Sequence, residues 1–151
     1  MQSFWRTAFR VLYWFLAAMD PLIRSVWLNV GIGNVVELRV DKRDGTGVRL
    51  RLVGLLHAGT ELYLGHPSGH VGWTRDLEAA GEGVLRWPNG DEVDFRATRL
   101  RASDDQREQA IRATNQHPFP GNLIYRLARG HVRREGVFFR LDAALTSNLP
   151  T

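Results

Sequence analysis

The sequence predicts a mainly β fold of the α+β class: a small antiparallel barrel of about six strands, with helices before it and around it. Three observations predict it. The hydrophobic period changes from helical to two at Val35. Pro88-Asn89-Gly90-Asp91 separates two alternating runs, as a tight hairpin turn does. A helical segment over 72–80 is inserted after the third strand and closed by Gly81 and Gly83. An open antiparallel sheet with helices on one face fits the same order of elements.

The first element is an apolar helix over Ser3–Met19, with Ser3, Arg6, Thr7, Arg10 and Tyr13 as a narrow polar stripe. It is too short to span a bilayer, and no small-residue cleavage site precedes Asp20-Pro21. It either caps the barrel of its own domain or of a dimer partner, or lies in a membrane interface with Arg at the headgroups. Asp20-Pro21 starts a second helix, carrying Leu22, Ile23, Val26, Trp27 and Leu28, which Gly31 and Gly33 end. Residues 1–34 thus form a helical segment, 35–145 the barrel domain, and 146–151 a frayed tail.

Val36, Leu38 and Val40 alternate with Glu37, Arg39 and Asp41 in the first strand. After the 42–47 turn, Val48, Leu50 and Leu52 alternate with Arg49, Arg51 and Val53 in the second. His57-Ala58-Gly59-Thr60 reads as a turn and Glu61–Leu64 as the third strand. Gly83–Trp87 and Glu92–Leu100 form the later hairpin. Ser103 with Gln106 three residues on is a capping box for a helix reaching about Asn115. Asn122–Arg129 is a further short helix, and His131–Ala143 the last strand.

With 151 residues, 44% hydrophobic and 24% charged, the chain fits one globular domain. The absence of cysteine excludes disulfides, Cys-ligated zinc, iron–sulfur clusters and Cys nucleophiles. Of 20 Lys+Arg only Lys42 is lysine, and the net charge is +4. Arginine presents a planar fork suited to phosphate and carboxylate, so an anionic ligand or surface is the expected partner. No basic helical repeat or aromatic RNA-binding strand points to nucleic acid.

The most informative stretch is 61–87, where a strand feeds a loop of Gly65, His66, Pro67, Ser68, Gly69 and His70 before the helix of Trp73 and Leu77. Ser68 stands between two histidines, but no strand–turn–helix elbow surrounds it, which argues against a hydrolase. His66, His70 and Asp76 lie in a Pro/Gly loop, where their spacing says nothing of a metal. Arg49 and Arg51 share one strand face, either as its solvated side or as an anion site. Amides of the Gly45-Thr46-Gly47 turn and of the 72–80 helix N-terminus would support the latter. Trp73 either walls a planar ligand or anchors the helix on the core.

These segments resemble the deazaflavin-dependent nitroreductases, oxidoreductases of the split β-barrel flavin-binding superfamily. The resemblance covers roughly 35–143 and rests on the RDGTGVR turn, the HAGTELYL strand, the GHPSGHVGWTRDL segment and FPGNLIY. It implies a split barrel that binds coenzyme F-420, with FMN or haem as alternative ligands. By that resemblance Arg43, Arg49 and Arg51 hold the phosphate and glutamate tail. Gly65, His66, Ser68, Gly69, Trp73 and Asp76 face the ring, and Tyr125 or Ser68 donates a proton or hydrogen bond to the acceptor. Asp44 stands where the family has Lys, and Asp76 where it has Asn. The acceptor is expected to be small and lipophilic, and the protein cytoplasmic, peripheral on the membrane through residues 3–19, and a homodimer. A non-catalytic barrel that has lost the cofactor site is the reading from another class.

Overall fold

The computed structural model describes residues 2–69 and 71–143; the tail over 146–151 lies outside the described residues. Two helices come first, α1 (Gln2–Ala18) and α2 (Asp20–Val30). Pro21 sits in the first turn of α2, and Gly31 ends it at a φ of 75°, which a side chain would disfavour.

Among the described residues seven strands follow, one more than expected: β1 (Val35–Asp41), β2 (Val48–Gly54), β3 (Leu56–Ala58), β4 (Glu61–His66), β5 (Glu82–Arg86), β6 (Glu92–Arg99) and β7 (Val137–Ala143). Helix α3 (Gly72–Ala80) lies between β4 and β5. Helices α4 (Asp105–Ala113), α5 (Gly121–Leu127) and α6 (Arg129–Glu135) lie between β6 and β7. The strands form one antiparallel sheet in the order β2-β1-β5-β6-β7-β4-β3. Its two edge strands are consecutive in the chain, joined through Leu55 alone. One stretch of chain therefore starts along β1, bends, and finishes along β4, which curls the sheet into a half-closed barrel. Asn34 pins the bend: its carbonyl accepts the Leu55 N–H and its Nδ2 donates to the Leu55 carbonyl, both at 2.9 Å.

The curl separates two cores. Inside, Leu38, Val40, Leu64, Leu85, Phe95 and Phe139 meet Trp73 and Leu77 of α3, which plugs the barrel. Outside, Leu56, Tyr63 and Phe138 are covered by α4 to α6 and by Phe9 of α1. Leu77 is fully buried at the centre of the inner core. Leu77→Ala is expected to cost about 2–5 kcal/mol through lost transfer energy and a residual cavity, read as a lower urea midpoint.

Three sequence expectations differ from the structure. His57 and Ala58 belong to β3, because the turn needs only Gly59, at a φ of 61°, and Thr60. His131–Glu135 is helical, not strand, because Ala128 and Val132 bury one helical face in the outer core. The Ser103–Gln106 capping box does not form; Asp104 precedes α4, its Oδ2 accepts the Arg101 N–H at 2.6 Å, and Gln106 accepts from Arg140. The apolar helix α1 has two apolar faces. Trp5, Phe9, Leu12 and Tyr13 pack on its own domain, while Val11, Trp14 and Phe15 stay exposed and continue into Leu22, Val26 and Val30 of α2. Among the described residues no single helix is long and apolar enough to cross a bilayer; α1 and α2 meet that test only as a pair bent by 69°.

Candidate functional site

Strand β2 presents its arginines to the barrel. The register sets Arg49 opposite Val40 and Arg51 opposite Leu38, both inner-core residues. Residues directly opposite in an antiparallel pair share a face. Arg49 and Arg51 therefore lie on the inner side at the barrel mouth. Val48 and Leu50 take the outer face, 51% and 46% exposed.

Asp76 on α3 explains how an arginine is tolerated there. Its Oδ2 accepts from Arg49 Nε at 2.6 Å, and its Oδ1 from the Arg43 backbone N–H at 3.2 Å. Burial pushes the Asp76 pKa up, but the Arg49 and Arg43 bonds outweigh it and hold the carboxyl below its usual range. Both oxygens are thus engaged within the chain, and the pair clamps the β1–β2 hairpin to α3. The clamp also lays Arg49 over the start of the helix, where a Cβ on Gly72 would stand 3.0 Å from the guanidinium carbon. The N–H groups of Gly72 and Trp73 have no acceptor among the described residues, as first-turn donors do not. Arg51 makes no ion pair or hydrogen bond among the described residues. Two guanidinium groups and a helix N-terminus therefore converge on one corner.

The hairpin turn contributes less than its glycines suggest. The Gly45 N–H bonds the Lys42 carbonyl at 3.0 Å. Asp44 Oδ1 takes the Thr46 N–H at 2.9 Å and the Thr46 hydroxyl at 2.6 Å. Those bonds hold the Asp44 carboxyl below its usual range, and they close the turn on itself. Arg43 is exposed at its edge.

Beside the basic corner lies an aromatic wall. The His66 ring is 5.0 Å from Tyr13 and 6.5 Å, edge-on, from Trp73. Burial pushes the His66 pKa down to about 4, and the nearby Arg51 charge acts the same way. Its Nδ1 accepts the Ser68 N–H at 3.3 Å. Burial raises the pKa of both the Tyr13 and the Tyr125 hydroxyl. Tyr125 also stacks on His117 at 4.7 Å, so it sits in the outer core beneath α1. Trp73 is 5% exposed and anchors α3 in the inner core. Gly65 faces the other way: a Cβ there would meet the Phe138 ring at 2.5 Å. Gly69, at a φ of 71°, turns the loop so that its N–H reaches the Glu135 carbonyl at 2.6 Å.

The loop brings in a residue that no local pattern selects. His131 Nε2 lies 3.0 Å from Ser68 Oγ, 63 positions away in the chain. Its burial is nearly complete and its Nδ1 has no partner among the described residues. The structure thus gathers Arg49, Arg51 and Asp76 in one corner, with Arg43 at its edge and His66, Ser68, Gly69 and Trp73 alongside. Tyr125 stands behind Tyr13, and Gly65 faces the outer core. Among the described residues no three metal-ligating side chains come together, and His70 lies outside them. A groove of about 670 Å³ elsewhere, lined by Asp41, Glu82, Asp94 and Asp142 with Arg39 and Arg96, has mixed charge and no link to this corner.

No protein-family model matches the chain, and no curated protein matches it in sequence. Solved structures do match it. The heme storage protein HutZ of Vibrio cholerae superposes with a TM-score of 0.56 at 13% identity, over 84% of this chain and 91% of that one. A putative pyridoxamine 5'-phosphate oxidase of Listeria innocua gives 0.50 at 12% identity, over 85% and 94%. The fold is a split barrel. A conserved hypothetical protein of Mycobacterium tuberculosis shares the split barrel, at a TM-score of 0.54 and 12% identity, over 87% and 89% of the two chains. At such identities the likeness establishes the architecture and leaves the ligand to the site.

Proposed function

We propose that this split barrel is an oxidoreductase that holds a reduced deazaflavin, coenzyme F-420, and serves hydride transfer to an electron-poor acceptor such as a quinone, a nitroaromatic or an activated alkene. The observation that carries the reading is the basic corner: Arg49, clamped by Asp76 over Gly72, next to Arg51 and the Gly72 and Trp73 amides, which have no partner among the described residues. A phosphate or carboxylate fits that donor set, and a flavin-type cofactor carries such a group beside a planar ring. When bound, the deazaflavin supplies the hydride. Arg49 and Arg51 bind the anionic tail, and the loop from His66 to Gly69 orients the ring end. Ser68 offers a hydroxyl there, and α1 shields the site from water. The exposed apolar face of α1 suits a lipophilic acceptor and a peripheral contact with a membrane surface. A second reading, a barrel without the catalytic cofactor, is favoured by Asp44, which occupies the Thr46 amide.

The test is a titration of the purified chain with coenzyme F-420 and with FMN, followed by quenching of cofactor fluorescence. Saturable binding is expected with coenzyme F-420. Binding of FMN alone would reassign the cofactor, and no saturation with either would leave the second reading. Arg51→Ala is expected to weaken binding about tenfold, the loss of one charge-assisted contact. Its urea midpoint should stay unchanged, because Arg51 is exposed and has no ion pair or hydrogen bond among the described residues.

A further inference from the structure

Ser68 is held by two histidines. Its backbone N–H donates to His66 Nδ1 at 3.3 Å, and its Oγ faces His131 Nε2 at 3.0 Å. A neutral imidazole has one donor and one acceptor nitrogen. Because His66 Nδ1 accepts, the His66 proton is on Nε2.

For His131 the surroundings decide. Its Nδ1 is buried without a partner among the described residues. The nearby carboxylate of Glu135 is held through both oxygens by Arg6, at 3.0 Å each. Phe9 stacks on the ring at 5.9 Å and offers no acceptor. A buried N–H with no acceptor is rarer than a bare buried lone pair. The proton therefore belongs on Nε2, donated to Ser68 Oγ. A hydroxyl that accepts from the histidine keeps its own hydrogen free to donate elsewhere. The amides of Ser68 and Gly69 are both taken, by His66 Nδ1 and by the Glu135 carbonyl. Neither of these two amides is left to stabilise an oxyanion for a serine nucleophile.

We infer that His131 is a positioning residue that makes Ser68 a one-way hydrogen-bond donor, its hydrogen left for an acceptor atom such as a ring carbonyl oxygen of a bound cofactor. What the hydroxyl donates to rests on the proposed function; the direction of the His131–Ser68 bond does not.

The experiment has two arms. Nitrogen-15 NMR of histidine-labelled full-length protein at neutral pH, with His131→Gln for assignment, reads the tautomer directly. An Nε2-protonated, Nδ1-bare ring is expected, and an Nδ1-protonated ring overturns the inference. In the second arm coenzyme F-420 and FMN are titrated against Ser68→Ala, His131→Leu, the double variant and His131→Gln. Ser68→Ala and His131→Leu should each weaken the bound cofactor about tenfold, with no further loss in the double variant. His131→Gln should retain most of the affinity, because its amide N–H replaces Nε2–H. Equal losses for Gln and Leu would mean that His131 only fills space and would overturn the inference. If neither cofactor binds the unmodified protein, the proposed function fails and the tautomer alone decides the point.

Discussion

Between pH 6.5 and about 4 the fold is expected to lose roughly 6 kcal/mol of stability through two histidines. Burial pushes the pKa of both His66 and His117 down from 6.5 to about 4, and each tenfold loss of proton affinity is worth ~1.4 kcal/mol. The sign follows from linkage. The folded state binds the proton more weakly than the unfolded one, so the contribution is complete above the unfolded pKa. It is lost as the pH falls through 6.5 and stops changing below the folded pKa of about 4. His131, whose pKa burial also lowers, acts in the same direction. A loss of this size approaches the whole stability of an ordinary domain. Urea midpoints measured at closely spaced pH values from neutrality down to the folded pKa check it. His117→Leu should halve the slope, and a midpoint that stays flat across the whole range sinks the prediction. Both histidines lie against the Tyr13–Tyr125 pair, so α1 is the element their protonation pushes on first.

The second large effect is expected from Asp76→Asn. The Asp76 side chain is 3% exposed and Arg49 34% exposed. Removing the charge leaves Arg49 near Arg51 and Arg43 with nothing to offset it. Breaking a buried ion pair costs about 3–5 kcal/mol, and the partial exposure of Arg49 places this one at the lower end. The double variant Asp76→Asn/Arg49→Gln should recover part of the loss, because no unpaired charge remains. A midpoint equal to that of the unmodified protein would refute the clamp. The variant should also lose cofactor affinity, since Arg49 would no longer be held across Gly72.

The strands and α3 were legible because their signals are local. Alternation at Val36–Val40, the Asn89-Gly90 turn and Gly81 after α3 are each decided by neighbours in sequence. The extra strand β3 was not, because Leu56 and His57 are defined by pairing with Tyr63 and Leu62 rather than by their own pattern. The stretch from His131 to Glu135 reads equally as strand or helix until Ala128 and Val132 find the outer core. Within the site, the pairing of Arg49 and Arg51 on one face was legible, but which face was not. Period two marks two sides and does not say which is inside. His131 carried no signal at all, since its meaning depends on Ser68 across the fold.

The inverted strand β2 has a consequence for folding. Sliding β2 by one residue against β1 would turn Val48, Leu50 and Leu52 into the barrel and Arg49 and Arg51 out to water. Hydrophobic burial, taken alone, favours that misregister. The native pairing is held by Asn34 at one end and by Asp76 and the self-closed 42–47 turn at the other. The strand is a locally frustrated element of an otherwise consistent sequence: its register conflicts with its own hydrophobicity, and three polar fasteners decide the contest.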